Sequence, residues 1–99
     1  IVVTGSTALS VTLAASGTTG TGSNTVSTFT ATVSPSTGIT SYAWTFTAPN
    51  GTSTSTTTTG NAITKNFNGA TTGQRYTVAV TVTANTGQTG NSTLDFLIP

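Results

Sequence analysis

The stretch Arg75-Tyr76-Thr77-Val78-Ala79-Val80-Thr81-Val82-Thr83-Ala84 decides how this chain folds. Tyr76, Val78, Val80, Val82 and Ala84 fall on one side of an extended backbone, and Thr77, Thr81 and Thr83 fall on the other. Side chains alternate between the two faces of a strand, so a period of two describes a strand with one apolar and one polar face. The same sorting recurs upstream. Residues 41–47 put Tyr42, Trp44 and Phe46 together, and residues 25–33 put Phe29, Ala31 and Val33 opposite Thr28, Thr30 and Thr32. A helix is excluded, because β-branched Thr and Val dominate and Gly and Pro interrupt every long window.

Working outward, residues 1–14 carry Leu9, Val11 and Leu13 on one face, with Gly5 dividing the segment into two short strands. Residues 52–59 are almost pure Ser and Thr, an edge strand or loop with nothing to bury. Residues 62–67 turn Ile63 and Phe67 inward with Lys65 between them, and residues 91–98 close the chain with Leu94, Phe96 and Ile98. The connections are a Gly/Ser/Thr loop at 16–24, the turns Ser34-Pro35-Ser36-Thr37-Gly38 and Ala48-Pro49-Asn50-Gly51, a loop at 68–74 and a hairpin connection at 85–90. About seven short strands with frequent turn signals predict an antiparallel two-sheet β-sandwich rather than a parallel sheet. The predicted core is Leu9, Val11, Leu13, Phe29, Ala31, Val33, Tyr42, Trp44, Phe46, Ile63, Phe67, Tyr76, Val78, Val80, Val82, Leu94, Phe96 and Ile98.

The chain has 99 residues, the size of one domain spanning 1–99. Within it the flexible loop at 16–24 sets the first strand segment, 1–14, apart. A terminal strand on such a hinge either fills its own sandwich or is exchangeable with a neighbour's. Ile1 opens the chain with no Met and no basic segment, which reads as a mature or excised piece from which any signal peptide is already gone.

Charge is the abnormal feature. Lys65, Arg75 and Asp95 are the only charged residues, 3% of the chain, against a usual share of roughly 25%. Thr, Ser, Asn, Gln and Gly must therefore cover the surface, which suits extracellular fibres, surface layers, pili and virions better than the cytosol. Two basic residues leave no electrostatic footprint for nucleic acid. No apolar run is long enough for a membrane-spanning helix.

The same inventory removes catalysis. There is no His and no Cys, so neither Ser-His nor Cys-His pairs can form. One carboxylate cannot supply both acid and base for glycoside hydrolysis. Zinc wants Cys or His and calcium wants several carboxylates. The expectation is no enzyme, no cofactor and no metal, with no catalytic, cofactor-binding or metal-ligating residues.

Two stretches carry a family resemblance. Tyr42-Ala43-Trp44-Thr45-Phe46 followed by Pro49-Asn50-Gly51 resembles the aromatic third strand of PKD (polycystic kidney disease) domains. Tyr76-Thr77-Val78-Ala79-Val80-Thr81-Val82-Thr83 resembles the family's sixth strand, with Phe67 upstream where the family often has an aromatic. The resemblance covers roughly residues 25–98. It departs from the family where Thr45, Thr47 and Asn50 replace the usual acidic residues of the turn. It implies an immunoglobulin-like sandwich, about the size of this chain, acting as a spacer or adhesion module.

Some single residues carry sharper alternatives. Lys65, on the face of Ile63 and Phe67, reads as a stem on apolar surface with its amine at the sheet edge. The sharper reading is a Lys–Asn isopeptide crosslink assisted by Asp95. Alternation opposes it, because Asp95 faces away from the core between Leu94 and Phe96. Trp44 and Tyr42 read as core aromatics, with a sugar platform as the alternative. Tyr76 suits a tyrosine corner, and Asn50-Gly51-Thr52 and Asn91-Ser92-Thr93 fit the N-glycosylation pattern.

The functional expectation is a structural or adhesive surface module, either a virion decoration or appendage domain or a subunit of an extracellular filament or surface layer. Its partners would be proteins, copies of itself or a larger surface or virion assembly, with glycans as a further class. The alternative is a carbohydrate-binding accessory module of a secreted protein.

Overall fold

The computed structural model describes residues 9–34 and 38–99. Seven strands run in order: β1 (Ser10–Thr19), β2 (Val26–Ser34), β3 (Ile39–Thr47), β4 (Ser53–Thr58), β5 (Ala62–Asn66), β6 (Arg75–Ala84) and β7 (Thr89–Leu97). A 3-10 turn at Gly22–Asn24 joins the first two. All pairings are antiparallel. They form a three-stranded sheet in the order β1-β2-β5 and a four-stranded sheet in the order β4-β3-β6-β7. The chain is thus a β-sandwich, as the alternation predicts. The fourth strand lies in the sheet of β3, not in that of β5.

Period two sorts the core. Phe29, Ala31 and Val33 of β2 face Tyr42, Trp44 and Phe46 of β3 and Val78, Val80 and Val82 of β6, all buried. Leu9, Phe67, Phe96 and Ile98 are buried with them, and Val11, Leu13, Ile63, Tyr76 and Leu94 pack against this cluster partly exposed. Every residue of the predicted core therefore lies in the core or against it. Ala70, Ala84 and Ile39 join it as well.

The first strand corrects one expectation and decides between two readings of another. The segment expected as a loop at 16–24 is strand as far as Thr19. A bulge between Ser16 and Thr19 carries Gly17 at φ 62, and the pairing resumes at Thr19↔Val26. The bulge absorbs one irregular step without ending the ladder, and Thr18 Oγ1 meets Ser27 Oγ at 2.8 Å across it. The part of 1–14 that is described, from Leu9 on, pairs with β2 of its own chain, Val11↔Val33 and Leu13↔Ala31. Its side chains pack on its own core, so residues 9–14 are not held out for exchange. Residues 1–8, with the break at Gly5, and Pro35-Ser36-Thr37 of the second turn lie outside the described residues.

The sandwich has two distinct poles. Leu9 donates its amide to Thr89 O at 3.0 Å, where β7 begins and β3 starts beside the end of β6. At the other pole Gly22 donates to Pro99 O at 3.0 Å and Gly73 to Ile98 O at 2.9 Å. The described chain enters at one end and leaves at the other. Gly90 makes the first crossing possible, because a Cβ there would collide with the carbonyl of Leu9.

Two substitutions test this packing. Trp44 is completely buried, so Trp44→Ala should lower stability by about 3–5 kcal/mol in chemical denaturation; a loss below about 1 kcal/mol with the fold retained would contradict its placement. Gly90→Ala should push Leu9 off β7. Faster hydrogen exchange of the Leu9 amide, with β3 and β6 still protected, is the expected result.

Candidate functional site

A hollow lies at the pole of Pro99. It lies between the edges of the two sheets, β4 on one side and β5 on the other, and has a volume of about 320 Å³. Its floor is Phe46 and Phe67, its rim is Thr52, Thr54, Asn66 and Asn68, and Lys65 and Tyr76 reach into it. The cleft exists because β4 is almost entirely Ser and Thr. A strand with no bulky inward side chains cannot close the gap to β5.

Each side chain is placed by its own element. Lys65 sits on β5 opposite Ser27, and alternation turns it toward the other sheet. Its Nζ stands 5.2 Å from the centre of the Phe46 ring. A cation over an aromatic face is held by the ring quadrupole, worth about 0.5–1 kcal/mol at a partly exposed site. Tyr76 is the second residue of β6 and meets Phe67 edge-on at 5.1 Å. Its role is in the aromatic cluster that floors the cleft. Asn66 and Asn68 flank Phe67, whose amide bonds Thr25 O at 2.9 Å and so fixes the loop.

Asp95 is elsewhere. It is exposed on β7 opposite Thr77, on the outer face of the four-stranded sheet. β7 is that sheet's far edge, and Lys65 lies on the opposite side of the sandwich, beside β4. The structure does not bring Lys65 and Asp95 together, so the crosslink arrangement is not assembled.

Trp44 and Tyr42 are both buried. They stack on each other with ring centres 6.4 Å apart. Trp44 Nε1 donates to Thr58 Oγ1 at 2.9 Å, and that hydroxyl donates in turn to Gly60 O at 2.8 Å. The indole N–H is thus satisfied by the edge strand, and neither ring offers a platform to a ligand. Asn50 is exposed, and its side-chain oxygen accepts the Thr52 amide at 3.0 Å, the local bond of an Asx turn. Asn91 is exposed on β7.

Lys65 was the one signal of the cleft visible in the sequence: a charge on an inward-facing position. Thr52 and Ala48 could not be assigned to it, because they reach it only through the path of the β3–β4 turn.

No protein-family model, no curated protein and no solved structure matches the chain.

Proposed function

We propose that this chain is a non-catalytic structural or adhesive surface module of the immunoglobulin-like, PKD-like kind, working through protein–protein contacts outside the cell or on a virion. The virion reading is a decoration or appendage domain; the cellular reading is a subunit of a filament or surface layer. The observation that carries this is how the side chains are divided. All the large aromatic groups but Tyr76 are buried between the sheets, and the outward positions of β3, β4, β6 and β7 carry mainly Ser, Thr, Ala and Asn. Such a surface offers hydrogen-bonding hydroxyls and shape, with almost no charge to steer a partner.

One specific observation favours a second reading. The cleft at Lys65 gathers an ammonium, amides and hydroxyls, a set suited to the hydroxyl groups of a sugar. A carbohydrate-binding role would use this cleft, since Trp44 and Tyr42 are buried.

The two readings separate experimentally. For the structural module, imaging and size analysis of the native material should show an ordered assembly, and association should change little with ionic strength, because three charges give salt little to screen. A free monomer in native material, or affinity that collapses on adding salt, would count against it. For the carbohydrate module, a glycan-array signal should vanish in Lys65→Ala with the fold intact.

A further inference from the structure

Among the described residues the sandwich has four sheet edges, and three are blocked. Open edges present unpaired N–H and C=O groups that template pairing with another chain, and proteins blunt them with bulges, charges or covering segments. β1 carries the bulge at Gly17 and runs beside β7. β7 is capped at its start by the Leu9 amide and bears Asp95. β5 aims the charge of Lys65 inward. β4 has none of these. Its six residues, Ser-Thr-Ser-Thr-Thr-Thr, pair with β3 without a register shift from Tyr42↔Thr58 to Thr47↔Ser53. They contain no charge and no Pro, and five of the six are exposed.

The hairpin fixes which groups face outward. Ala48 donates to Thr52 O at 2.7 Å, so Ala48 and Thr52 bond directly across the turn. Bonded and non-bonded pairs alternate along an antiparallel ladder. Thr54, Thr56 and Thr58 therefore bond to β3, and the backbone groups of Ser53, Ser55 and Thr57 point away from the sheet. The 3.3 Å approach of Thr45 Oγ1 to Ser55 Oγ agrees, because side chains lie closer in the non-bonded pairs.

We propose that β4 is a docking edge for the β4 of a second copy, joined antiparallel about a two-fold axis with Ser55 opposite Ser55 and Ser53 opposite Thr57. This rests on the structural-module reading and names its contact. A two-fold interface must be self-complementary, and β4 meets that condition throughout. Every facing side chain is a small hydroxyl, no like charges meet, and cross-strand Thr and Ser pairs are favourable. Capture of a foreign strand would draw its specificity from side-chain pockets at alternate positions. The cleft adjoins β4 at its Thr52–Thr54 end, and the strand itself carries only small hydroxyl side chains, so the edge as a whole fits its own sequence best. The pair would join two four-stranded sheets into one continuous sheet.

The test is sedimentation of the full chain over a wide concentration series. The wild type should form a reversible dimer. Ser55→Pro removes one outward N–H and leaves the bonds to β3, and Ser55→Lys sets two like charges face to face. Each should weaken the dimer by roughly tenfold or more, with the near-ultraviolet signal of Trp44 unchanged. Should the proline variant fail to fold, a charge pair replaces it: Ser55→Lys and Ser55→Glu, each monomeric alone, should dimerise when mixed. Failure of the mixture to pair would overturn the two-fold register. Association untouched by any Ser55 variant would overturn the β4 contact and leave the structural reading standing. A wild type that stays monomeric would overturn the pairing, and images of the native material then show whether the structural reading falls with it.

Discussion

The knot of rings around Phe67 is the contact on which the rest of the molecule depends. There is no Cys to staple the sheets and there are too few charges to bridge them. What holds them is apolar burial, and its densest part is aromatic. Phe67 stacks on Phe96 with centres 5.0 Å apart and meets Tyr76, Phe46 and Phe29 edge-on. Phe29 closes the cluster on Phe96 at 5.3 Å and Phe46 at 5.6 Å. These rings come from β2, β3, β6, β7 and the residue after β5, so a single cluster ties both sheets together. Edge-to-face and offset stacking add to the burial itself. The cleft follows from the same cluster: Phe67 draws the end of β5 over Phe46, and slender β4 leaves the space beside them open.

Hydroxyls take the place of charges elsewhere. On the outer face of the three-stranded sheet Thr28 and Thr64 meet at 3.1 Å. At the bulge Ser27 is buried yet bonded to Thr18. At the edge Thr58 both accepts from Trp44 and donates to Gly60. Short β-branched side chains favour the strand and lose less rotamer freedom than Lys, Arg or Glu would. The composition that leaves the surface nearly neutral thus also favours the strands, and the same neutrality leaves the β4 edge without a charge of its own.

Most of the fold was readable from alternation, because each inward position could be recognised by its neighbours two residues away. Val78, Val80 and Val82 identify themselves in this manner, and so do Tyr42, Trp44 and Phe46. Alternation failed where no side chain contrasts with another. Residues 16–19 read as loop from their Gly, Ser and Thr, yet β2 holds them as strand. Residues 53–58 have no apolar face, so only pairing with β3 decides between strand and loop. The cleft was legible in part, through Lys65, and its other walls depend on where the turns run. Which sheet would receive β4 has no local signature at all.

The two poles have a mechanical consequence. β1 and β7 both run from the pole of Leu9 toward the pole of Pro99, one in each sheet. Tension applied between Leu9 and Pro99 would pull β1 one way along its axis and β7 the other. The ladder bonds of β1 to β2 and of β6 to β7 lie across that direction, so they would be strained together in shear and not peeled open one after another. Forced unfolding is governed by the barrier to opening, and a shear barrier requires many bonds to yield at once. Pulled between Leu9 and Pro99, the sandwich would therefore resist in shear along its length.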